Sequence, residues 1–230
     1  MNYDHVAVSE LDEKGNRLGG TVLRFSPEFK TKGQISEEIG RVMAKVGRYC
    51  AERKKPLIME DLDTTLAKHG IRYGCRKQNR HASLFAYRKM TTCLENQSYK
   101  QSFGIYKINP AYTSQMGKFL YLRPLGLSIH EAASYTIGLK GMGIREKLLP
   151  DERLTVLLPE KAKEKLKNGT DIVSIIPAWK HLTKAFRGVS PHSFYRELPY
   201  EVLEERKKGT LKSIASEMKK WTQNNRYEYV

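Results

Sequence analysis

Acidic residues, cysteines and long apolar runs are what this chain has little of. Its 230 residues hold 25 Asp and Glu against 41 Lys and Arg, a formal net charge of +16. The charged fraction of 29% is close to that of ordinary soluble proteins, so the imbalance speaks of partners rather than of fold. A polyanion suits such a chain; nucleic acid is the commonest, and an anionic membrane surface is the alternative. The three cysteines, Cys50, Cys75 and Cys93, are odd in number, widely spaced and without a C-x₂-C pair. That pattern excludes a disulfide framework and a zinc ribbon, and it suits reduced thiols in the cytoplasm. No eighteen consecutive residues are apolar, so no membrane-spanning helix is expected. Asp4, Glu10, Asp12 and Glu13 interrupt the opening segment, which does not read as a secretory signal.

The apolar 40% is enough to bury a core, and its spacing sketches the elements. HVAVSEL, from His5 to Leu11, alternates as a strand. Asp12 to Asn16 is a turn signal, and RLGGTVLRF, Arg17 to Phe25, is a second strand in which Gly19 and Gly20 allow a bulge or close packing. The two are near enough to pair as an antiparallel hairpin. Ser36 is a candidate N-cap for a helix marked by Ile35, Ile39, Val42, Met43, Val46 and Tyr49. Leu57 to Glu60 is a short apolar strand ending on a carboxylate, as a buried central strand does. Helical spacing returns from Ala82 to Leu94, and alternation from Phe103 to Ile108. Pro110 to Gly126 reads as loop, and Ile129 to Leu139 as a helix with Ser128 and Glu131 forming a capping box. The order β-β-α-β-α-β-α implies an α/β fold, a mixed sheet flanked by helices over residues 1–150. Residues 151–230 read as a basic C-terminal extension, mostly helical or irregular.

Three acids stand where chemistry is conceivable. Glu60 ends the strand in IMEDLD, where a carboxylate either reaches a metal above the sheet or caps the next turn. Glu131 opens a helix whose Ala132, Ala133 and Ser134 permit close approach to a sheet, although a capping box needs no metal. Asp4 precedes the first strand and reads equally well as an exposed turn acid. A two-metal nuclease needs several carboxylates converging on Mg²⁺ ions about 3.5–4 Å apart.

Three segments, NYDHVAVSELDEKGN, PLIMEDLDT and INPAYTSQMGKFLYLRPLGLSIHEAASYTIGLKGMGIREKLL, fall in the order found in insertion-sequence accessory transposases of the TnpB/OrfB type. The chain resembles that family over roughly its first two-thirds. The resemblance implies an RNase H-like (RuvC) fold, Mg²⁺-dependent phosphodiester hydrolysis, and a guide RNA and target DNA as partners. It also implies that Glu60 is the second catalytic and metal-binding acid, and Glu131 the third, where the family more often has Asp. Asn2 matches the Asn of the family's opening G-x-D-x-N strand, so the first acid would fall immediately before Met1. The expectation is therefore a core lacking the start of its first strand, whether because the start is misplaced, because the rest is separately encoded, or because the copy is decayed; Asp4 is the remaining metal candidate.

The loop from Arg72 to Arg80 carries Arg72, Arg76, Lys77 and Arg80, candidate phosphate contacts. Further Lys and Arg recur over Lys161–Lys167, Arg206–Lys208 and Lys219–Lys220, with tyrosines and Trp179 interspersed as possible stacking faces. Three readings of function follow: a nucleic-acid-binding remnant of such a nuclease, an active Mg²⁺-dependent DNA endonuclease, and an unrelated basic structural or RNA-binding protein.

Overall fold

The computed structural model describes residues 1–62 and 86–186. The fold is α/β, with seven helices and two small sheets among the described residues. Contacts divide the chain into two units, Met1–Pro110 and Ala111–Val230.

In the first unit, β1 (His5–Leu11) and β2 (Arg17–Arg24) pair antiparallel, from His5↔Arg24 to Leu11↔Arg17, with an irregularity at Glu10/Leu11. The DEKGN turn closes them as its residue types require. The Asn16 amide and side-chain amide each donate to the Asp12 carboxylate at 2.7 Å, and Gly15 takes a φ of 70°. Gly20 meets the expected close packing, since a Cβ there would stand 2.6 Å from the Val8 carbonyl oxygen.

The long helix α1 (Lys32–Arg53) begins earlier than the apolar spacing implies. Thr31, not Ser36, is its N-cap, in a reciprocal capping box with Gln34. Its buried stripe of Ile39, Val42, Met43, Val46, Gly47 and Cys50 enters a core shared with Val6, Phe25, Met59, Met90 and Leu94. Burial pushes the Cys50 thiol up to about 11. β3 (Leu57–Glu60) and β4 (Ile105–Ile108) pair in parallel, Leu57↔Ile105 through Glu60↔Ile108. Parallel pairing demands a long crossover, and α2 (Tyr87–Gln101) lies within it. α2 packs on α1 where Gly47 has no side chain; a Cβ at that position would stand 2.8 Å from Gln97 Cβ.

Glu10 ties the hairpin to the end of α1. Its carboxylate accepts from Tyr49 Oη, Arg53 Nε and Lys55 Nζ, each at 2.8 Å. Chiefly because of the Lys55 ammonium, with Tyr49 and Arg53 adding to it against the opposing effect of burial, its pKa falls from 4.5 to about 2.

The second unit is helical among the described residues: α3 (Thr113–Leu120), α4 (Ile129–Gly141), a 3-10 turn (Glu146–Leu148), α5 (Glu152–Thr155), α6 (Glu160–Asn168) and α7 (Ile172–Ala185). The Ser128–Glu131 capping box forms at the start of α4. The stretch from Pro110 to Gly126, expected as loop, contains α3. Short helices gain most from packing, and Gly117 lets α3 lie on the backbone of α4: a Cβ there would stand 2.7 Å from the carbonyl carbon of Ala132. Trp179, wholly buried, donates from Nε1 to the Leu148 carbonyl at 2.8 Å. Arg145, also buried, donates to Ser174 Oγ at 3.0 Å and to the Leu166 carbonyl at the end of α6. These bonds join residues on both sides of Pro150. The division by contacts accordingly falls at Pro110 rather than near residue 150.

Candidate functional site

Glu60 closes β3, and the backbone there is held from two sides. The Asp61 amide donates to the Ile108 carbonyl at 2.7 Å. The Tyr87 hydroxyl donates to the Glu60 carbonyl and accepts from the Leu62 amide at 3.2 Å. With Met59 buried in the core, strand alternation turns Glu60 to the opposite side of β3. Its side chain is 16% exposed, and its carboxylate accepts from the amino group of Met1, whose side chain is 5% exposed. The beginning of the chain, two residues before the Tyr3–Asp4 step into β1, is thus brought to the carboxyl end of β3.

Asp4 is engaged otherwise. Its carboxylate lies 2.6 Å from Nδ1 of buried His5, and its carbonyl accepts from Phe25 N at 2.8 Å across the hairpin. Glu131 belongs to the second unit, where its carboxylate accepts from Ser128 N at 3.1 Å and from Ser128 Oγ at 2.7 Å. That is the helix-capping role its position in the sequence allows. Arg72, Arg76, Lys77 and Arg80 lie outside the described residues, as does Asp63.

A divalent ion needs oxygen ligands converging without competing cations. Among the described residues no three His, Cys, Asp or Glu side chains group as metal ligands. Glu60 already faces an ammonium and Asp4 an imidazole. As they are arranged, these described donors do not gather as a Mg²⁺ site.

Tyr87, one of the tyrosines read from the sequence as a possible stacking face, is not open to a base. At helical spacing with Met90 and Leu94 it reads as core, and it is indeed buried; only its hydroxyl, bonded at the strand end, links it to Glu60. No helix among the described residues is long and apolar enough to cross a membrane. No protein-family model, curated protein or solved structure matches the chain.

Proposed function

We propose that the chain is a nucleic-acid-binding protein related to insertion-sequence accessory transposases, derived from an RNase H-like, RNA-guided, Mg²⁺-dependent DNA endonuclease and itself without nuclease activity. The observation that carries this reading is the meeting of Met1 with Glu60. The family resemblance puts its first acid just ahead of Met1 and its second at Glu60, and such acids must converge to share metal ions. The element order supports it too: a hairpin, a long helix, then two parallel strands separated by a helix, with Glu60 at a carboxyl strand end. DNA and RNA are the partners, held by a chain of net charge +16.

The test is binding and cleavage by the full chain in Mg²⁺. Binding to DNA and RNA that weakens steeply with salt, with no nicking, is the expected result. Nicking by the parent chain that vanishes in Glu60→Ala overturns the inactive reading; no binding at low salt overturns the reading as a whole.

A further inference from the structure

We propose that the solvent face of the α1–α2 pair binds single-stranded nucleic acid, with Lys45, Arg48, Arg88, Lys89 and Lys100 on phosphates and the Tyr99 ring under a base. This names a surface for the function proposed above and rests on that reading. α1 buries one stripe and leaves Glu37, Arg41, Lys45, Arg48 and Glu52 exposed along the opposite one. α2 likewise buries Tyr87, Met90, Thr91 and Leu94 and exposes Arg88, Lys89, Glu95, Tyr99 and Lys100. Both buried stripes enter the same core, so both exposed stripes point away from it. The close approach at Gly47 sets the helices side by side.

The acids on this face are already matched. Glu37 pairs with Arg41 at 3.0 Å, Glu95 with Lys107 at 2.8 Å, and Glu52 lies 3.9 Å from Arg53. Lys45, Arg48, Arg88, Lys89 and Lys100 make no ion pair among the described residues. Lys45 and Arg48 stand about one helical turn, roughly 5 Å, apart along α1. Packed helices run about 8–10 Å apart. These distances compare with the advance of a strand by about one to three nucleotides at about 3.4 Å each.

An isolated exposed tyrosine is unremarkable, but Tyr99 is 90% exposed among unmatched cations. Cations that track a backbone beside an aromatic face that accepts any base are the elements of single-strand recognition. A duplex, its bases already stacked, offers that ring nothing.

Fluorescence anisotropy of the full chain with labelled single-stranded DNA or RNA of about 12 nucleotides tests this. Lys45→Ala/Arg48→Ala is compared with Lys161→Ala/Lys165→Ala, which removes the same charge from exposed positions of α6. The first pair should reduce the slope of log affinity against log salt by about 1.4, at about 0.7 per lost contact. The control pair should reduce it by much less. Tyr99→Ala should weaken single-strand binding about tenfold, leave duplex binding unchanged, and be rescued by Tyr99→Trp. If the parent binds and the two double variants behave alike, the surface is wrong while the functional reading stands. A parent that binds no nucleic acid removes both.

Discussion

Replacing Glu10 by Gln removes a charge at the point where β1, α1 and the turn into β3 are tied together. Three donors converge on this carboxylate, and Lys55 also bonds the Leu11 carbonyl at 2.9 Å. A carboxyl pKa lowered from 4.5 to about 2 sets an upper bound of roughly 3 kcal/mol on the stabilisation by the charged form. Arg53 and Lys55 are 38% and 37% exposed, so water screens the pairs, and about 1–2 kcal/mol is the expected loss in Glu10→Gln. The pH dependence has a definite sign. A depressed carboxyl pKa stabilises the fold fully above its unfolded value and loses that contribution as pH falls from 4.5 towards 2. Urea unfolding of the full chain, followed by circular dichroism, should therefore separate parent and variant at pH 7 and bring them together near pH 2. Identical midpoints at pH 7, or a gap that widens on acidification, would refute the assignment of this network as the tie between hairpin and helix.

Gly117→Ala should destabilise the second unit by about 1–3 kcal/mol, because the new methyl meets the backbone of Ala132 rather than a movable side chain; an unchanged unfolding midpoint would mean that α3 and α4 are not so closely apposed. Trp179→Phe should cost about 1–3 kcal/mol by leaving the Leu148 carbonyl without its donor in a buried site, read from thermal unfolding. Tyr87→Phe should cost about 1–2 kcal/mol and raise hydrogen exchange at the Leu62 amide, which loses its acceptor; an exchange rate unaltered there would remove Tyr87 from the support of the strand end.

Much of the first unit was legible because its signals are local. Alternation marks β1 and β2, the DEKGN turn joins them, and a regular apolar stripe marks α1. Ser128 and Glu131 announced their cap for the same reason: donor and acceptor are three residues apart. The start of α1 was misjudged because Ser36 lies on the apolar periodicity, whereas Thr31 is chosen by its reciprocal bonds with Gln34. α3 escaped because the feature that stabilises it, a glycine against another helix's backbone, is invisible without the partner. Pro177 within α7 is a residue that reads as a stop in a sequence. The helix nevertheless continues past it; Val173, whose carbonyl Pro177 cannot bond, is exposed, where water can serve instead. The candidate site was half legible. Glu60 was conspicuous at a strand end, but its meeting with Met1 joins residues that only the fold brings together.

The Arg145 guanidinium reaches both the carboxyl end of α6 and the first turn of α7. A cation there complements the partial negative charge at a helix carboxyl end. Withdrawing it takes a donor from the Leu166 carbonyl, while Ser174 Oγ keeps its bond to the Asp171 carbonyl at 2.6 Å. The hairpin of α6 and α7 is thereby latched from inside the unit, so its amides should lose protection from exchange in one concerted opening rather than by fraying helix by helix.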